Sequence, residues 1–168
     1  SHLQDFTLLE YYCAYWNYED NMDFTEKLVR HVLEKVHGSY LLQYGQTTID
    51  FSKKWERISF KDLILKDSGI DIDALKTKEI LLKTILEKGI KLEADINSLG
   101  RGSLIDQLYK KVSRPNIINP TFVIKHPLDL SPLARMNDDN EMIVDRFQLV
   151  INGWEVVNAY SELVDPLD

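Results

Sequence analysis

Cysteine is nearly missing from this 168-residue chain: Cys13 stands alone, no internal disulfide can form, and nothing points to an oxidising compartment. A cytoplasmic location is the expectation. Glycine and proline are also scarce, at seven and five residues, which excludes collagen-like and low-complexity chains. Long apolar runs are lacking. Stretches such as Leu63-Ile64-Leu65 and Ile80-Leu81-Leu82 fall far short of the roughly 18–20 residues that span a bilayer, and no signal-peptide pattern is present. Positive charge does not dominate either: 20 Lys and Arg face 27 Asp and Glu, a net charge of −7. This argues against general nucleic-acid binding, but not against a specific RNA partner held by a local patch. What remains is 44% hydrophobic, 28% charged and 10% aromatic, the composition of a globular chain long enough for one domain or part of a larger one.

The aromatic-rich stretch through Tyr18 reads as a strand, with Phe6, Leu8, Glu10, Tyr12 and Ala14 on one face and Thr7, Leu9, Tyr11, Cys13 and Tyr15 on the other. Cys13 is then expected in the core. Leu28, Val29, Val32, Leu33 and Val36 keep helical spacing, with Asp23 or Thr25 as a cap and Gly38 as the stop. Strands are expected at Ser39–Tyr44 and Thr47–Phe51 around Gly45-Gln46, and at Trp55–Phe60. Helical stretches follow at Lys61–Lys66, Thr77–Lys88 and Ser103–Val112, predicting a helical insertion over 61–118 within a domain covering 1–168. Asn119–Ile124 returns to strand. Asn152-Gly153 between Arg146–Ile151 and Trp154–Leu163 marks a type I′ hairpin. Without regular βαβ alternation, α+β with an antiparallel sheet is the predicted class.

Familiar catalytic signatures are missing. His2, His31, His37 and His126 have no zinc-ligand spacing, and there is no Walker loop, dinucleotide fingerprint or Gly-x-Ser-x-Gly elbow. Two strand faces carry acids among aromatics instead: Glu10 between Phe6 and Tyr12, and Glu162 beside Tyr160 and Asn158. A carboxylate buried there needs a cationic partner, and two carboxylates with a phenol would suit an ammonium group with its three donors. The alternative is that Glu10 and Glu162 face solvent or pair with Lys or Arg of the same chain. The hairpin register places Gln148 and Glu155 on one side, diagonally offset, where one carboxylate with water and phosphate oxygens could hold Mg²⁺. Glu155 and Asn158, three apart, share a face only if a β-bulge lies around Val156-Val157.

At these residues the chain resembles the class II lysyl-tRNA synthetases. Phe6-Thr7-Leu8-Leu9-Glu10-Tyr11-Tyr12-Cys13-Ala14-Tyr15 is similar to the latter half of the family's motif 2. Asn119-Pro120-Thr121-Phe122, Ser131-Pro132-Leu133-Ala134-Arg135 and Asn158-Ala159-Tyr160-Ser161-Glu162-Leu163 with Asp165-Pro166 match further family stretches in the same order. The resemblance implies the family's antiparallel sheet with flanking helices, ATP-dependent activation of L-lysine to lysyl-adenylate, and transfer to the lysine tRNA. It further implies a lysine pocket of Glu10, Tyr12, Asn158, Tyr160 and Glu162, an adenine stacked on Phe6, His2 near the ATP phosphates, and Mg²⁺ at Glu155 and Gln148. No residue need be a covalent nucleophile.

Two departures accompany it. Gln148 stands seven residues before Glu155, where the family usually has a second acidic metal ligand, so fewer or more loosely held Mg²⁺ ions are expected. The chain begins within motif 2 and ends before motif 3, without motif 1 or an anticodon-binding domain. It is therefore expected to be an internal piece of a homodimeric enzyme, negligibly active alone because the cationic clamps on the transition state are missing. Two other readings stay open: a catalytically silent lysine- or nucleotide-binding paralogue, and a ligase that attaches lysine to a protein.

Overall fold

The computed structural model describes residues 5–92, 98–131 and 134–164. Helix α1 (Tyr18–His37) starts at Asn17, not at Asp23 or Thr25: the Asn17 side chain accepts from the backbone N–H groups of Glu19 and Asp20, and Asp20 returns a bond to the Asn17 N–H. This reciprocal box satisfies donors that a helix start otherwise leaves open. Gly38, at φ 64°, ends the helix where the sequence places its stop, in the left-handed region that glycine enters without a Cβ penalty.

Strands β1 (Leu41–Tyr44) and β2 (Thr47–Asp50) form a separate antiparallel hairpin. The main sheet has five strands: β3 (Glu56–Ser59), β4 (Thr121–Pro127), β5 (Met136–Asn137), β6 (Asn140–Ile151) and β7 (Trp154–Tyr160). β4 pairs with one edge of β6, while β5 and β7 share its other edge, all antiparallel. The exception is β3, which runs parallel to β4. Parallel neighbours need a crossover, supplied here by α2 (Phe60–Ser68), α3 (Lys78–Glu87) and α4 (Arg101–Val112). The class is α+β, as expected.

Strand alternation sorts the sheet into two cores. On one face Phe122, Phe147 and Leu149 pack with Tyr18, Met22 and Leu33 of α1 and with Ile49, Phe51 and Trp55. On the other, Val123 and Val150 pack with Phe60, Ile64, Ile85, Leu104, Ile105 and Leu108 of the crossover helices. The helices cover only part of this second face, and the strip they leave is polar.

The aromatic segment before α1 departs from its expected form. Residues 6–13 carry no strand assignment, because a strand exists only by pairing and these residues pair with no described strand. The segment lies against α1 instead. Tyr11 Oη donates to Asn21 Oδ1 at 2.5 Å, and the Tyr11 and Trp16 rings meet Phe24 at 5.5 and 5.4 Å. Cys13, expected in the core, is exposed for the same reason. Val32 and Val36 of α1 also face solvent.

Candidate functional site

The hairpin of β6 and β7 builds the polar strip. Asn152, at φ 49°, and Gly153, at φ 75°, form the turn, and pairing then runs Ile151 to Trp154 and Val150 to Glu155. The next pair is Leu149 with Val157, which leaves Val156 as an extra residue. This is the bulge that a shared face requires, and it sets Glu155, Asn158 and Tyr160 on the same side as Arg146 and Gln148.

Two polar contacts organise these side chains. Gln148, buried at the centre of the sheet, donates Nε2–H to Glu155 Oε2 at 2.7 Å. Arg146 donates Nε–H to Asn158 Oδ1 at 2.8 Å, and its Nη1 reaches Ser131 Oγ and, at 3.5 Å, the Leu130 carbonyl. The guanidinium thus ties β7 to the loop after the short 3₁₀ turn Leu128–Leu130.

Beside this strip lies a cavity of about 410 Å³, walled by α4, the C-terminal end of β4, the interior of β6 and the start of β7, and lined by Tyr109, Arg114, His126, Arg146, Gln148 and Glu155 among others. Tyr109 Oη, both His126 ring nitrogens and Gln148 Oε1 are buried with no hydrogen-bond partner. His126 reaches this side through an irregularity: pairing with β6 shifts between Ile124 and His126, and Lys125 takes φ 55°. In an unbroken strand His126 would share the face of Ile124, whereas its ring packs on Phe60 at 5.1 Å. Burial, with the Arg146 charge second, pushes its imidazole down to about 3. Burial also raises the Tyr109 phenol well above its ordinary value.

The acid and phenol group lies at the far end of β7. Tyr12 Oη donates to Glu10 Oε1 at 3.1 Å. That bond and the Glu10 charge, with smaller contributions from Glu162 and Tyr160, raise the Tyr12 phenol, so Glu10, Glu162 and Tyr160 each lie within electrostatic reach of Tyr12. Glu162 is pinned by an isolated bridge to Ala134 rather than by β7, which ends at Tyr160. Burial of these acids does not occur. Glu10 and Glu162 are exposed, Tyr12 is 79% exposed and Phe6 74%, because nothing among the described residues roofs the group.

Nine residues were singled out from the sequence as binding groups. The fold gathers Gln148, Glu155, Asn158 and Tyr160 on one strip and brings Glu10, Tyr12 and Glu162 to its end; Phe6 is exposed on the segment before α1, and His2 lies outside the described residues. Arg146, His126 and Tyr109 were not singled out. Arg146 alone had a sequence signal, sharing the alternate positions of Gln148 on a predicted strand. Among the described residues no cluster of three His, Cys, Asp or Glu could hold a metal. Glu155 Oε1 accepts no hydrogen bond among the described residues and is open to a small hard cation, whereas Gln148 gives Glu155 its N–H and turns its unpartnered buried oxygen away, so the pair offers such an ion one anionic ligand. No described helix is long and apolar enough to cross a membrane.

Comparison with known proteins agrees in one direction. The family model for class II tRNA synthetases (D, K and N) matches residues 1–168. A lysine–tRNA ligase of Prochlorococcus marinus subsp. pastoris is 40% identical over 168 residues, covering 99% of this chain and 32% of that protein. Those of Fervidobacterium nodosum and Staphylococcus saprophyticus are 38% and 37% identical over 167 residues, covering 99% of this chain and 32% and 33% of theirs. The chain spans about a third of the length of these relatives.

Proposed function

Since the chain belongs to the class II tRNA synthetases of the D, K and N group, we propose that it supplies the amino-acid and ATP-phosphate part of a lysine–tRNA ligase site. The observation that carries this reading is the gathering of Glu10, Tyr12, Tyr160 and Glu162 at one end of the polar strip and of Gln148 and Glu155 along it. In this reading the two carboxylates and the Tyr12 phenol take the side-chain ammonium of lysine. Arg146 occupies Asn158 Oδ1, so Asn158 turns its amide N–H groups to the ligand and acts as a donor, toward the amino-acid carboxylate. That carboxylate attacks the α-phosphorus of ATP, an acyl–phosphate bond forms, and pyrophosphate leaves.

Exposed Phe6 offers an aromatic face for adenine, and His2 is assigned to the ATP phosphates. Glu155, with Gln148 beside it, would hold magnesium, which when bound offsets phosphate charge. The chain's own part is to orient: the bulge sets Glu155 and Asn158 on the lysine side of the sheet, and Arg146 fixes the amide. Transfer of lysine to its tRNA, as the names of the relatives indicate for those proteins, completes the proposed activity.

The test is lysine-dependent exchange of pyrophosphate into ATP by the full-length protein. Exchange with L-lysine, but not with L-arginine or L-ornithine, and weakened in Glu162→Gln chiefly through the lysine KM, is the expected result. Exchange that ignores lysine, or none from folded protein, would overturn the reading.

A further inference from the structure

The two ends of the Gln148 amide do different work. Its nitrogen lies 2.7 Å from Glu155 Oε2, and its oxygen is buried without a partner. The N–H and C=O groups of an amide diverge from one carbon, so the end that holds Glu155 leaves the oxygen turned away from it. Gln148 is among the buried polar side chains, and among the described residues Glu155 forms no ion pair. The amide N–H is therefore the hydrogen-bond donor that fixes the Glu155 carboxylate, while the Arg146 guanidinium on the same strip offsets part of its charge.

We propose that Gln148 stands in for a bridging cation: it organises Glu155 without metal, leaving one carboxylate oxygen for a single, weakly held divalent ion. A glutamate at this position would set two carboxylates at the distance now spanned by the amide hydrogen bond. Arg146, already committed to Asn158, Ser131 and Leu130, offsets one such charge but not two, so the pair, with one member buried, would draw a cation or a shared proton between them. The glutamine removes that pull. Chelation of metal then leaves the strip intact, and a divalent ion joins the site with its phosphate-bearing ligand rather than before it.

The inference rests on reading Glu155 as the cation-facing carboxylate, yet its test uses neither lysine nor ATP. Thermal unfolding of the full chain is followed in EDTA and in excess MgCl₂, and binding of Mn²⁺ alone is followed by electron paramagnetic resonance. Wild type is expected to unfold at the same temperature in both solutions. Gln148→Glu is expected to unfold several degrees lower in EDTA, to recover in MgCl₂, and to bind Mn²⁺ at least about tenfold more tightly, since a second carboxylate raises site charge. The exchanged pair Gln148→Glu/Glu155→Gln restores one amide and one carboxylate and is expected to be metal-independent again; it keeps the test decisive if the single variant does not fold. Wild type that magnesium stabilises as much as Gln148→Glu, with equal Mn²⁺ affinity, would overturn the inference. The same holds for an exchanged pair as metal-dependent as the single variant. Either result leaves the lysine-exchange reading to its own assay.

Discussion

Arg146 and Asn158 lie diagonally across β6 and β7, and the guanidinium Nε–H takes the amide oxygen of Asn158 at 2.8 Å. The polarity of Asn158 toward any ligand is set by this contact. Asn158→Asp keeps an acceptor for Arg146 but removes the only donor the residue presents outward. In the proposed reaction the KM for lysine should rise about 100-fold, of the order of a lost hydrogen bond to a charged group, about 1.5–3 kcal/mol. The KM for ATP should hold. Cadaverine, which lacks the carboxylate, should compete equally with both proteins; an Asp variant that binds lysine normally would show that Asn158 accepts rather than donates.

His126 makes the fold acid-sensitive. The folded chain keeps its imidazole neutral down to about 3, whereas an unfolded histidine takes up a proton near 6.5. Between those values the unfolded state binds more protons, so stability falls as pH drops through the window. Denaturant titrations from pH 7 to pH 4 should show this loss, and His126→Phe, which keeps the packing on Phe60, should flatten it.

The Asn17 box predicts a local cost. Asn17→Ala leaves the Glu19 and Asp20 N–H groups without their side-chain acceptor and should lower stability by about 1 kcal/mol. Asp23→Ala should not reproduce it through helix capping, which separates the observed start from the one the sequence suggested.

Helix α1 offers a paired test of its buried face. Leu33 is 7% exposed and Val36 69%. Leu33→Ala should cost about 2–5 kcal/mol in denaturant unfolding, and Val36→Ala no more than about 0.5 kcal/mol.

The residues that the sequence reads correctly share one property: their signal is local. Gly38 ends α1 because a left-handed residue is needed there, and Asn152-Gly153 closes a hairpin because the turn demands positive φ. Glu155 and Asn158 were legible as a pair, down to the bulge they require. Relations between distant segments were not. Residues 6–13 have strand composition but pair with no described strand, and the parallel alignment of β3 with β4 leaves no mark in either segment. His126 was set aside for want of zinc-ligand spacing, and the irregularity at Lys125 that turns it toward the cavity leaves no mark in the sequence. The exposure of Glu10 and Glu162 is a matter of what covers them, which residue alternation does not report.

The β3–β4 pairing also has a kinetic side. Its register joins Glu56 to Thr121 and Ser59 to Ile124, partners 65 residues apart in sequence. Closing so long a loop before any contact rewards it is entropically expensive. α2, α3 and α4 are built from short-range contacts, and collapsing them first shortens the loop that the strands must close. Assembly of the sheet edge therefore waits on the crossover helices, and a substitution that unwinds α4 should slow refolding well beyond its effect on the finished structure.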